Sequence, residues 1–134
     1  MKTLKVNIVT PDGPVVESEA NMIIATTEAG EMGILPGHIA MVAPLQIGGL
    51  RITKDDSTEV VAVHGGFMEV RPDVVTILAQ SAETAATIDI ARAKDAAKIA
   101  EAALQTTQEE VELQKTKLDL KRAMNRISVY EGRQ

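Results

Sequence analysis

Cysteine is absent from the 134 residues. Disulfides, thiolate nucleophiles and thiolate metal sites are therefore excluded. The two histidines, His38 and His64, are too few for a zinc site unless carboxylates complete it, so no metal is expected. Tryptophan is also missing, and there is one Phe and one Tyr, so any core is aliphatic. No apolar run approaches the roughly eighteen residues that a spanning helix needs. The first residues, Met1-Lys2-Thr3-Leu4-Lys5, lead into a short alternating run and not an apolar signal core. The expectation is a cytosolic location with no direct membrane insertion.

Catalytic patterns are equally scarce. Gly30-Glu31-Met32-Gly33 has two spaced glycines but no GxGxxG pattern and no helix after it, and there is no Walker sequence. No Ser or Thr stands in a motif with a histidine base. Glu69 and Asp73 lack the paired spacing of glycosidase acids. The catalytic set is expected to be empty and the chain not to be an enzyme by itself. His64 follows a buried-looking strand and reads as a satisfied core or rim histidine. His38 lies in a turn and reads as a contact residue.

What is present begins with residues 60–79, where runs rich in β-branched residues are broken at Gly65-Gly66 and Pro72-Asp73. Those breaks have turn chemistry, and the runs between them have strand length, so three antiparallel strands are expected. Residues 4–9 alternate as a first strand, and Thr10-Pro11-Asp12-Gly13-Pro14 is a turn cluster. Further short strands are expected over 15–20, 22–27, 32–35, 38–45 and 47–52, the last two separated near Pro44 and Gly48-Gly49. Eight to ten short strands with Gly- and Pro-rich turns describe a sandwich or flattened barrel.

The period changes after residue 80. Residues 81–87 are small and polar, like a linker. An alanine-rich helix is expected from Asp89 to about Leu104, capped by Thr87 or Asp89. A second helix is expected from about Gln108 to Ser128, with Thr107 as cap and Glu109-Glu110 in its first turn. Leu113, Leu120, Met124 and Ile127 make its apolar stripe, flanked by Val111 and Leu118. Ile88, Ala91, Ile99, Ala102 and Ala103 are the surface expected to oppose it. The domain reading is a sandwich over 1–84, a linker over 85–88 and a two-helix hairpin over 89–134.

The net charge of −5 is unevenly spread. Residues 1–87 carry −6, residues 88–134 carry +1, and the segment from Gln114 onward carries +4. This does not suit general nucleic-acid binding, but it suits a local contact with an acidic protein surface or a phosphate. Lys115, Arg122 and Arg126 share one side of the second helix, and Arg122 and Arg126 are i,i+4 neighbours. Such a run is also what a merely solvated face looks like.

Gly33-Ile34-Leu35-Pro36-Gly37-His38, then Gly65-Gly66-Phe67-Met68-Glu69-Val70, then Val75-Thr76-Ile77-Leu78-Ala79, then Ile88-Asp89-x-x-Arg92-Ala93 follow in that order. In that order and spacing the chain resembles the epsilon subunits of bacterial F-type rotary ATP synthases, from about residue 4 to 129. The resemblance implies a β-sandwich of about ten strands that docks on the gamma subunit and the c-ring, helping couple rotation to catalysis. It implies a C-terminal antiparallel hairpin that either folds against the sandwich or extends along gamma, where it blocks ATP hydrolysis. A peripheral position on the cytoplasmic face of the cell membrane goes with this. Glu31, Met32, Pro36, Gly37 and His38 would meet gamma or the c-ring. Lys115, Lys121, Arg122 and Arg126 would meet the beta subunits, with alpha nearby. No cofactor is required, but ATP is implied as a regulatory ligand. Glu83 and Asp89 would take its adenosine part, Arg92, Arg122 and Arg126 its phosphates, with Ile88 and Ala93 completing the motif. Ile99 departs from the pattern, since ATP-binding relatives can carry a further arginine there. Two alternatives remain on the residues alone. Asp89 and Arg92 could only tether the hairpin, and the whole could be a generic sandwich binding module with a scaffolding hairpin.

Overall fold

The computed structural model describes residues 2–132. Met1, Arg133 and Gln134, which fall inside the sequence ranges given above, lie outside the described residues. Eight strands come first: β1 (Leu4–Thr10), β2 (Gly13–Ala20), β3 (Met22–Thr27), β4 (Gly30–Ile34), β5 (Met41–Lys54), β6 (Ser57–Val70), β7 (Val74–Ala79) and β8 (Ala82–Thr84). A 3₁₀ turn at Ala85–Thr87 leads into helices α1 (Ile90–Thr106) and α2 (Glu110–Glu131). The architecture is the expected β-sandwich followed by a helical hairpin.

The strands form one sheet in the order β2-β1-β7-β6-β5-β3-β4, with β8 also paired to β6. All neighbours are antiparallel except β1 and β7. The sheet folds back on itself because its two longest strands bend. Along β6, Gly65 and Gly66 hold φ of +83° and +125°, which frees the strand to turn a corner while staying paired to β5 on both sides of it. A Cβ on Gly66 would lie 2.1 Å from the Leu78 carbonyl oxygen, so no other residue fits. The enclosed core is aliphatic, as the composition requires: Leu4, Val6 and Ile8 of β1 meet Ile23, Ile34, Leu50, Ile52, Val61, Val63, Met68, Val70, Val75 and Ile77.

Several expectations are corrected here. The strands number eight, within the eight to ten read from the residues and below the ten or so that the resemblance implied, and two long strands stand where four short ones were read. Gly65-Gly66 bends a strand and does not end it. Pro44 sits inside β5, opposite Phe67, and does not interrupt it. The polar stretch after residue 80 is not all linker, since Ala82–Thr84 pair with β6.

Asp89 caps α1 by accepting a hydrogen bond from the Arg92 backbone N–H at 3.1 Å. Thr107, expected to cap α2, instead closes α1, and Glu109 caps α2 by accepting from Val111 N–H. Gly132 ends α2 in the left-handed conformation. The helices meet through Ala93 and Ala97 of α1 and Leu120, Ala123 and Ile127 of α2. The surface expected to oppose α2 holds only in part: Ile88 does meet it, through Val129, but Ala91 and Ala102 are exposed and Ile99 is 71 % exposed. No helix among the described residues is long and apolar enough to cross a membrane.

Candidate functional site

The hairpin lies on the sandwich through the C-terminal half of α2. Val129 packs with Ile88 on Ala62, with Val60 and Ala85 at the edge. Around this small apolar contact stand three polar ties. Asn125 Nδ2 donates to the Gly48 carbonyl at 3.0 Å, Lys121 Nζ to Gln46 Oε1 at 3.4 Å, and Arg126 Nε to Glu83 Oε1 at 2.5 Å. Burying Ile88 and Val129 contributes about 1.5–3 kcal/mol each.

Beside the Glu83–Arg126 pair a cavity of about 380 Å³ opens between the start of α1 and the end of α2. Glu83, Thr87, Asp89, Arg92, Ala93, Ala96 and Arg126 line it. The structure thus brings together five of the residues that the sequence reading assigned to ATP: Glu83, Asp89, Arg92, Ala93 and Arg126. It does not bring the other two. Ile88 is buried beneath Val129, and Arg122 lies outside the lining, 3.5 Å from Asp119. The chain makes this cavity locally. The cap at Asp89 fixes the first turn of α1, which puts Arg92 and Ala93 on the cavity side, and pairing of β8 with β6 places Glu83 opposite. Thr87 and Ala96 were missed. Ala96 lies one turn beyond Arg92 and Ala93, a signal that the sequence did carry.

The electrostatics of the cavity are divided. Glu83 and Asp89 offer two carboxylates, suited to hydroxyl or amino donors. Among the described residues the Arg92 guanidinium has no ion-pair partner. Arg126 is held by Glu83, each side chain being 29 % exposed. Its Nε is engaged, and its terminal nitrogens remain for an anion.

His64 lies next to this cluster. It is 1 % exposed, and neither ring nitrogen has a hydrogen-bond partner. The expected satisfied histidine is thus buried but unsatisfied. Burial first, then the nearby Arg126 guanidinium, pushes its pKa down to about 4, with Glu83 opposing and Arg122 adding.

The residues expected to meet gamma or the c-ring divide into two groups. Glu31, on β4, is paired to Arg51 of β5 at 2.5 Å, with Met32 half-buried beside it. The Pro36-Gly37-His38 turn is tied elsewhere: Gly37 N–H donates to the Pro72 carbonyl at 2.7 Å, and His38 Nδ1 lies 2.8 Å from the Ile39 carbonyl oxygen. Around that turn Leu35, Ile39 and Val42 are exposed. A further exposed apolar pair, Phe67 and Leu78, each 56 % exposed, stands in direct cross-strand register. The sequence reading placed Phe67 and Leu78 in strands but did not mark them as exposed, because an apolar run alone does not say which face of a sandwich strand is covered. Of the expected beta contacts, Lys115 is exposed, whereas Lys121, Arg122 and Arg126 are engaged within the chain.

Comparison with known proteins bears on the whole length. Residues 3–85 match the family model described as ATP synthase, Delta/Epsilon chain, beta-sandwich domain, and residues 87–131 the one described as the long alpha-helix domain of the same chain. An ATP synthase epsilon chain of Bacillus licheniformis is 57 % identical over 129 residues, covering 96 % of this chain and 98 % of that one. Those of Bacillus velezensis and Bacillus subtilis are 55 % and 54 % identical over the same shares. Among solved structures, a chain of the Euglena gracilis mitochondrial ATP synthase superposes with a TM-score of 0.79 at 24 % identity, covering 92 % of this chain and 78 % of that one. A chain from the central stalk and c-ring of the Tetrahymena thermophila enzyme gives 0.55 at 15 % identity, covering 98 % and 96 %. These two likenesses show the fold.

Proposed function

The chain belongs to the family of ATP synthase epsilon chains, non-catalytic regulatory subunits of the central stalk, and from that premise we propose that its hairpin is a movable brake on ATP hydrolysis. The sandwich docks on the gamma subunit and the c-ring, at the cytoplasmic face of the cell membrane and held there by the assembly. The hairpin, when it leaves the sandwich, extends along gamma and presents Lys115, Lys121, Arg122 and Arg126 to carboxylates of the beta subunits. The observation that carries this reading is where those cations now lie. Lys121 and Arg126 are tied to Gln46 and Glu83 of the sandwich, so the lowered hairpin withholds them, and release frees them.

ATP favours the lowered state in this reading. It binds in the cavity beside Glu83 and Arg126, with its phosphates on Arg92 and the free nitrogens of Arg126 and its adenosine part toward Glu83 and Asp89. Occupation links the start of α1 to the end of α2 and to β8. Arg122 reaches the phosphates only by leaving Asp119, and Ile99 adds no charge, so the affinity is modest. Titration calorimetry with ATP, with and without magnesium, tests this. One site per chain is expected, and absence of heat and of a melting shift at millimolar ATP would end the ligand reading.

A second reading has its own support. Asp89 already caps α1 and Glu83 already pairs with Arg126, so the same residues suffice as a tether with no ligand. In that case Glu83→Gln loosens the hairpin equally with and without ATP.

A further inference from the structure

We propose that His64 is a proton-sensitive latch: the hairpin lies on the sandwich only while this imidazole is neutral, and its protonation drives α2 off β5 and β6. This rests on the reading of the hairpin as movable and adds a signal that moves it. Four consecutive residues of β6, Val61 to His64, are buried. Strand geometry turns alternate side chains to opposite faces. Val61 and Val63 belong to the sandwich core, and Ala62 packs under Val129 of α2. His64 shares the outer face with Ala62, and it is the hairpin that covers that face.

The surroundings of the ring accept a neutral group and reject a cation. Neither nitrogen is hydrogen-bonded. From α2, Arg126 and Arg122 bear on it with positive charge. From β8, Glu83 is the single opposing charge, and it is already paired to Arg126. From β5, the register partner is Ile47, which has none. At the start of α1, Asp89 and Arg92 offset one another across the cavity that Glu83 and Arg126 also line. An imidazolium here would lack both water and a free counter-ion. Lifting α2 restores water and removes both arginines together.

The direction in pH follows. With the hairpin down the ring titrates near 4, and with it lifted near the ordinary 6.5. Docking is therefore fully favoured above about 6.5, weakens as pH falls from there, and changes no further below about 4. Between pH 7.5 and 5.5 the docking constant falls about tenfold. Most carboxylates stay ionised across that window.

Because the chain has no cysteine, energy transfer between dyes on Asp56→Cys and Tyr130→Cys reports the position of α2 in the full chain. The expected result is a docked fraction that falls from pH 7.5 to 5.5, a fall that His38→Ala keeps and His64→Leu abolishes. Ring NMR of unlabelled protein is expected to leave His64 neutral at pH 5.5 in the docked population. A docked fraction unchanged between the two pH values overturns the latch, as does a His64 ring that titrates near 6.5 while docked, or a pH slope that persists in His64→Leu. If the docked fraction ignores pH yet responds to ATP, the movable hairpin stands and the latch alone falls. If it responds to neither, both fall.

Discussion

Gly66 shows how one residue fixes the shape of the sandwich. Its φ is +125°, a region that L side chains avoid, and an added Cβ would strike the Leu78 carbonyl. Neighbouring Gly65, at φ +83°, has the Gln80 side chain and the Leu45 carbonyl oxygen no closer than ordinary contact distance, 3.6 Å and 4.0 Å from its missing Cβ. The two glycines therefore differ in what substitution does. Gly65→Ala is expected to cost about 1–2 kcal/mol, the strain of the left-handed conformation alone. Gly66→Ala is expected to cost at least about 3 kcal/mol, because β6 must also separate from β7. Urea denaturation of the two variants checks this, and equal midpoints would show that the corner is not fixed by contact with Leu78. At the cavity, Arg92 is the cation with no ion-pair partner to lose among the described residues. Arg92→Ala should leave the melting temperature without ATP nearly unchanged and weaken ATP binding about tenfold or more, the scale of a charge-assisted bond. Arg126→Ala should do both kinds of damage, because Glu83 loses its partner as well.

In the reading proposed above, the hairpin is the element on which regulation turns. Its grip on the sandwich is the Val129–Ile88–Ala62 contact and three polar ties, while most of the aliphatic volume lies inside the sheet. Removing everything after Ile88 should therefore leave a sandwich that melts cooperatively with strand circular dichroism. A molten fragment would make the hairpin part of the core. In the assembled enzyme the same truncation should raise ATP hydrolysis while ATP synthesis is kept. Alanine at Lys115, Lys121, Arg122 and Arg126 together should do likewise, and an unchanged hydrolysis rate in both would remove the brake reading. The sequence disclosed these two helices well. Alanine density, the Asp89 cap and the Leu113-Leu120-Ile127 spacing were sufficient to find them. It did not disclose how they pack. Alanine occurs on every side of α1, so the true face, Ala93 and Ala97, is no more apolar in sequence than the false one, Ala91 and Ala102. From the residues alone the sequence offered Asp89 as a cap and Arg122 and Arg126 as an i,i+4 pair. The grouping of Glu83, Asp89, Arg92, Ala93 and Arg126 around one ligand came from resemblance, since only the fold brings β8 to α2. His64 was misread because a buried histidine ordinarily finds a partner, and whether it does depends on a helix about 60 residues away in sequence.

On the scale of the whole molecule, exposed apolar surface and the cations of α2 lie in different parts of the chain. Lys121, Arg122 and Arg126 of α2 are engaged within the chain, and the acidic sandwich exposes apolar side chains in two places, Leu35, Ile39 and Val42 around the Pro36-Gly37 turn, and the Phe67–Leu78 pair on adjacent strands. If the sandwich is the part that grips the rotor, its grip should be mainly apolar and so resist salt, whereas the brake made by α2 should be ionic and yield to it. Purified chain and isolated gamma subunit should then form a 1:1 complex by size exclusion at about 0.1 M salt and keep it at about 1 M, where the Debye length shrinks to about 3 Å. Phe67→Asp should weaken that complex tenfold or more, since it places a charge in the centre of an apolar contact. Alanine at the four cations of α2 should leave it intact. Inhibition of hydrolysis should show the opposite pattern, falling with salt and with the four alanines. Failure to bind gamma at any ionic strength would remove the rotor role from the sandwich. Binding that disappears at high salt would place the grip on charged residues instead, and with it the division of labour between the two halves of the chain would fall.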